Sequence, residues 1–178
     1  MAKRKLALSK VYGLIEPGPV VLLATAQRGR HNVMPMSWHT MLEFEPPWLG
    51  CVVSGRNFSF AALRATRQCT INIPGAEMAR TVVACGNTSG RRTDKFEAFG
   101  LTPLAASQVG VPLIAQCHAN LECRVVDTRM VNRYNFFVLE VVAAWLDPSR
   151  KEARTLHHRG WGAFMVAGET IRLRSGKR

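Results

Sequence analysis

The chain has 178 residues, 47% of them apolar and 20% charged, which fits one domain, 1–178, with a buried core and excludes a disordered segment. No apolar run reaches the roughly 18–20 residues that a membrane span needs. The start, Met1-Ala2-Lys3-Arg4-Lys5, lacks the long apolar stretch of a secretory leader, so a cytoplasmic protein without membrane contact is expected.

The net charge of +12 suggests nucleic acid, but its distribution argues otherwise. Lys3, Arg4, Lys5, Arg172, Arg174, Lys177 and Arg178 lie in two acid-free tails, 1–8 and 172–178; setting those seven aside leaves +5 for the body. Basic tails are usually solvated and frayed, and the remaining positive field suits small ligands that carry phosphate. The cysteines Cys51, Cys69, Cys85, Cys117 and Cys123 are odd in number, form no CxxC pair and fall in apolar stretches. They read as core residues, not as a disulfide scaffold or a zinc site.

Taken in order, Val20 to Thr25 predicts a strand after the Pro17-Gly18-Pro19 punctuation, Arg28-Gly29-Arg30 a turn, and Asn32 to Met36 the returning strand of a hairpin. Trp48 to Ser54 follows Glu45-Pro46-Pro47 as a third strand. A short helix from Phe58 to Arg67, with Asn57 as N-cap, buries Phe60, Ala61 and Leu63. Gln68 to Ile73 is a strand closed by Pro74-Gly75, and Glu77 to Ala84 is a helix with Met78 and Val82 one turn apart. Thr93 is placed to cap a third helix that turns Phe96 and Phe99 inward and stops at Gly100. From Ala115 to Val125 apolar and polar residues alternate, the pattern of a strand with one buried face and one wet face through Gln116, His118, Asn120, Glu122 and Arg124. Tyr134 to Trp145 is apolar at nearly every position, as in a strand covered on both sides. Many strands with a few short helices predict a mainly β barrel or open sheet, and no strand-helix-strand repeat supports a Rossmann architecture.

GxGxxG, GxxxxGK[ST] and GxSxG motifs are all absent. Two segments could instead hold an anion. Met36-Ser37-Trp38-His39-Thr40 ends the second strand, and Ser54-Gly55-Arg56-Asn57-Phe58-Ser59 leads a strand into a helix N-terminus, where free N–H groups and the helix dipole favour an anion. A turn with an ordinary N-cap explains the second segment equally well. The glycine-rich stretch from Cys85 to Phe96 offers Ser89, Arg91 and Lys95 for closing over a phosphate, or is a solvated surface loop. His157-His158 has no partner ligands at metal spacing.

The ordered set NVMPMSWHTMLEFEPPWLGCVVSGRNFSF, CTINIP, CGNTSGRRTDKFEAFGL, LECRVVDTRMVNRYNFFVLEV and HHRGWGAFMVAGE resembles the flavin reductase-like, flavoredoxin-type branch of the FMN-binding split barrels, from about Ser9 to Ile171. The resemblance implies a six-stranded antiparallel Greek-key split barrel and a homodimer with FMN at its interface. Met36, Ser37, Trp38, His39 and Thr40 would then run beside the ring and ribityl chain. Ser54, Arg56, Asn57 and Ser59 would lie around the phosphate, with Ser89 and Lys95 closing from the third loop. The segment around His157 and His158 would fold over the cleft or pack at the dimer seam. No catalytic side chain is required, because the cofactor carries the chemistry. The implied activity is that of an oxidoreductase moving electrons from NAD(P)H through FMN to free flavin or another acceptor. The alternative is a flavoredoxin-like carrier with a protein redox partner. A basic nucleic-acid-binding barrel is the remote third reading; it needs aromatics on a wet strand face, and Gln116 to Arg124 has none.

Overall fold

The computed structural model describes residues 3–11, 15, 18–150, 153–174 and 176. Pro17 of the first punctuation and the tail cations Lys177 and Arg178 lie outside them. The strands are β1 (Arg4–Leu6), β2 (Val21–Gln27), β3 (Arg30–Met36), β4 (His39–Glu43), β5 (Trp48–Val52), β6 (Gln68–Ile73), β7 (Pro103–Leu104), β8 (Leu113–Ile114), β9 (Ala119–Asp127), β10 (Phe136–Leu146), β11 (Leu156–His158) and β12 (Phe164–Val166). The helices are α1 (Phe58–Thr66), α2 (Ala79–Asn87), α3 (Lys95–Ala98) and α4 (Val131–Tyr134). No helix among them is long and apolar enough to cross a membrane.

The main sheet is antiparallel throughout and runs β3-β2-β6-β9-β10-β5-β4, with β1 added to the far end of β10. Among the described residues its outer strands do not pair with each other, so the barrel is split and β3 keeps an unpaired edge. Pro35 sits on this edge strand, where its missing N–H costs no interior ladder bond. The β2–β3 hairpin turns on Arg28 (φ 51°) and Gly29 (φ 73°), both left-handed as a two-residue type I′ turn requires.

Two hydrophobic clusters share the sheet. Val21 and Leu23 of β2 point into the barrel with Cys51, Cys69, Ile71, Leu121, Cys123, Phe137 and Leu139; Leu22 and Ala24 point out to Val33, Val82, Cys85, Phe96 and Ile114. A strand buried on both faces is apolar at every position, which is what Val20 to Ala24 shows. All five cysteines are buried.

Five expectations need correction. The wet face of the alternating segment is largely dry: Asn120 and Glu122 are fully buried, and Ala115 to His118 precede β9. The excursion between α3 and β9 covers that face and supplies the partners. Glu122 accepts from Ser107 N and Oγ, Gln108 N and, at 2.8 Å, Trp145 Nε1. Burial opposes its ionisation, but these donors outweigh it and hold the carboxyl below the usual range. Asn120 donates to Asn72 Oδ1 (2.7 Å) and Ile114 O (3.0 Å). Second, β10 faces the core through Phe137, Leu139, Val141 and, past a bulge, Ala144; its other face is half-exposed except at the buried Ala143. Tyr134 belongs to α4, which Asn135 ends in the left-handed region at φ 56°. Third, the α3 cap is Asp94, which accepts from Phe96 N and Glu97 N; Thr93 stands one residue too early. In α1 the buried alanine is Ala62, and Ala61 is exposed. Finally, Arg4 to Leu6 is paired strand, so this part of the N-terminal tail is not frayed.

Candidate functional site

Three cavities lie in a row along β3. The first, of about 230 Å³, is walled by Val20, Pro35, Met36, Val82, Val83 and Phe164, with Ser37, Asn87 and His158 at its edges. The second, of about 410 Å³, shares Pro35, Gly86 and Asn87 with the first and adds Asn32, Met34, Arg56, Asn57, Phe58, Ser59, Ser89 and Lys95. The third, of about 370 Å³, shares Asn32 and Phe58 with the second and continues to Thr25, Gln27, Arg28 and Arg30. The free edge of β3 produces this groove: α1, α2 and the α2–α3 loop cover the edge without adding a strand to it.

The middle cavity is built for an anion. No carboxylate lines it, whereas Arg56, Lys95, Ser59 and Ser89 do. The α1 N-terminus opens on it, and Asn57 makes no side-chain cap bond, so the first-turn N–H groups are unclaimed by a cap. Lys95 is almost fully buried and donates to Val33 O (2.8 Å) and Cys85 O (2.7 Å). An ammonium has three donors, so one remains. Burial pulls its pKa below the ordinary lysine value, against the Cys85 thiol. Burial also pushes that thiol up to about 11, with Lys95 opposing, and keeps it protonated. Ser59, fully buried, accepts from Asn32 Nδ2 at 2.8 Å, while Asn32 Oδ1 is buried without a partner. A Cβ on Gly90 would collide with the Asn32 amide and come within 2.8 Å of Phe58, so the loop can close here only as glycine.

Of the residues expected to act together, Arg56, Asn57, Ser59, Ser89 and Lys95 meet around the middle cavity. Met36 and Ser37 line the first. Ser54 lines none of the three; its Oγ accepts from Arg56 N at 3.3 Å. Trp38, His39 and Thr40 line none of the three. Trp38 is 71% exposed and Thr40 is exposed. His39 Nε2 donates to Pro19 O at 2.7 Å and its buried Nδ1 has no partner; burial lowers its pKa, partly opposed by that carbonyl. The sequence reading missed Asn32, Phe58 and Arg30. Arg30 and Arg91 place their guanidinium carbons 5.7 and 5.9 Å from the Phe58 ring centre. Their spacing carries no signal, since the contacts join the hairpin, α1 and the α2–α3 loop. The β11–β12 hairpin brings His158, Gly162 and Phe164 to the first cavity. Among the described residues no three metal-capable side chains cluster.

A mainly β, antiparallel barrel left open between its outer strands is the fold of the FMN-binding split-barrel proteins. The chain matches the flavin reductase like domain model over residues 14–163, and it belongs to that family. An uncharacterized Escherichia coli K12 protein, YddH, is 31% identical over 172 residues, which cover 89% of this chain and 91% of YddH. The structure of an FMN-binding domain of a flavin reductases-like enzyme from Shewanella baltica OS155 superposes with a TM-score of 0.89 at 25% identity, covering 97% of this chain and 98% of that one. The flavoredoxin of Desulfovibrio vulgaris (Miyazaki F) shares the fold, with a TM-score of 0.81 at 20% identity over 90% of this chain and 92% of its own.

Proposed function

We propose that this chain binds FMN along β3 and works in the cytoplasm as an NAD(P)H-dependent, flavin reductase-like oxidoreductase. The observation that carries the reading is the acid-free middle cavity, where two cations, the hydroxyls of Ser59, Thr88 and Ser89 and an uncapped helix N-terminus converge next to an apolar slot. That donor set suits a phosphate dianion, and the slot suits a flat ring with polar groups at its edge. Arg56, Ser59, Ser89, Lys95 and the first turn of α1 would hold the phosphate; Met36, Val82 and Phe164 would flank the ring. Bound there, FMN supplies the hydride and electron chemistry that no side chain of this fold offers. The protein's own part is to hold the phosphate, orient the ring and exclude water from the slot.

A homodimer belongs to the same reading. Trp38, Leu42, Phe44 and Trp48 are exposed near the β4 edge, and one face of β10 is half-open. Surface of this kind suits a second copy of the chain.

Freshly purified protein should show a flavin spectrum, or take up FMN saturably with quenched fluorescence. NADH and NADPH oxidation, with and without added flavin, then separates a turning-over reductase from a carrier that reacts with a protein partner. Failure to bind flavin removes the reading.

A further inference from the structure

We propose that His158 is the titratable charge at the edge of the ring slot: protonated, it favours the reduced cofactor, and so it sets the potential at which the bound flavin works. This rests on the flavin reading above and deepens it by one residue.

The hairpin that carries His158 is fixed to the barrel at its base. Leu156 is buried, its carbonyl accepts from Val20 N at 2.6 Å, Thr155 bridges to Gly75, and Ala167 N donates to Thr155 O at 2.8 Å. From that base, successive side chains of β11 point to opposite faces. His157 takes the face away from the slot, where its Nε2 lies 3.0 Å from the Thr155 hydroxyl, and it lines none of the three cavities. His158 shares the face of Leu156 and lines the slot. It stands opposite Phe164 in the hairpin register, with the two rings 5.4 Å apart and tilted by 49°. Two adjacent histidines thus have different surroundings, and only the second is placed to meet a ring.

No other titratable side chain lines the slot among the described residues. Its walls from Val20, Pro35, Met36, Val82 and Val83 are apolar, and Ser37 and Asn87 are neutral. His158 is exposed, and its side chain makes no hydrogen bond or ion pair among the described residues, so nothing in the chain competes for its ring nitrogens. The charges flanking the slot are Arg159, next in the hairpin and exposed, and Arg56 and Lys95, which line the phosphate seat beyond the shared Gly86 and Asn87. All three are common to the wild type and the variants below. Electrons arriving on a ring bring negative charge, and a cation at its edge favours the electron-rich form, the more so between apolar walls that screen weakly. Imidazole is the side chain that gains and loses such a charge between about pH 5 and 8. The sign follows: with His158 protonated the potential is raised, and with His158 neutral the increment is gone.

FMN uptake is measured for wild type, His158→Gln, His158→Lys and His157→Gln, and the loaded proteins are titrated anaerobically with a reductant and a reference dye. Flavin absorbance is read at about pH 5.5 and about pH 8.5, on either side of the histidine range. The inference expects the ratio of reduced to oxidised flavin at a fixed potential to fall about tenfold in His158→Gln at the lower pH, about 30 mV for a two-electron couple. At the higher pH His158→Gln should match the wild type. His158→Lys, which keeps its charge, should hold the raised potential at both, and His157→Gln should track the wild type throughout. A potential in His158→Gln equal to the wild type's at the lower pH overturns the inference and leaves the flavin reading intact. So does an equal fall in His157→Gln, which would make the effect one of hairpin structure. Loss of FMN uptake by folded His158→Gln also overturns it, giving the residue a holding part and not a tuning one. Failure of the wild type to take up FMN overturns both.

Discussion

Asn32 and Ser59 join the open edge of the sheet to the start of α1: the Asn32 amide donates to the Ser59 hydroxyl at 2.8 Å, both side chains being buried. This bond fixes how far α1 stands from β3, and thereby the width of the phosphate seat. Removing either partner leaves a buried polar group unsatisfied, so Asn32→Ala and Ser59→Ala should each cost about 1–3 kcal/mol. The double variant should cost less than the two single effects added together, a coupling that urea unfolding of all four proteins would measure.

Gly90 packs against that same amide. Gly90→Ala should overpack the junction and destabilise the fold by about 1–3 kcal/mol, with a parallel loss of FMN affinity. Gly86→Ala is the control: its added Cβ meets only the Pro35 ring, at 3.1 Å from Cγ and 3.8 Å from Cδ, and alanine favours the helix by about 1 kcal/mol. Thermal unfolding should place Gly86→Ala near the wild type and Gly90→Ala well below it.

Arg56 offers a cleaner separation of binding from stability. Its side chain is exposed on the rim of the middle cavity. Arg56→Ala should leave the melting temperature nearly unchanged and weaken FMN binding about tenfold or more, the loss of a charge-assisted bond worth about 1.5–3 kcal/mol. Equal FMN affinity in the variant would remove Arg56 from the phosphate seat.

Burial lowers the pKa of His39 and His118 below the ordinary 6.5, in each case partly opposed by a backbone carbonyl; at His118 the nearby Lys3 and Arg150 also lower it and Glu77 raises it. Between the folded pKa and 6.5 the unfolded chain therefore holds more protons than the folded one, and stability rises with pH. Cooling the comparison to a single temperature and titrating downwards, stability should start to fall near 6.5 and stop falling below the folded values. His39→Gln and His118→Gln should each flatten the slope of urea midpoints measured between about pH 5 and 8.

Much of the barrel was legible. The β2–β3 hairpin, β5 and β6 follow from β-branched runs bounded by glycine and proline, because local chemistry alone sets them. Glu122 and Asn120 were read as wet because polarity reports exposure only when no internal partner exists, and their partners come from an excursion that composition does not reveal. Lys95 was legible as a donor but not as a buried one: its acceptors, Val33 O and Cys85 O, are 62 and 10 residues away. Trp38, His39 and Thr40 were expected near the ring from the resemblance alone. In the single chain they turn to the surface or to Pro19.

The unpaired edge of β3 has a consequence for the life of the protein in a cell. An unpaired edge is a template for misassociation; α1, α2 and the α2–α3 loop cover part of this one, and on the reading proposed above a bound flavin would complete the guard. A ligand present at a hundredfold excess over its Kd adds about 2.7 kcal/mol to the folded state. On the flavin reading proposed above, vitamin supply would become a form of quality control: chains made while flavin is scarce would stay closer to aggregation and proteolysis, and the pool of intact protein would follow the pool of cofactor.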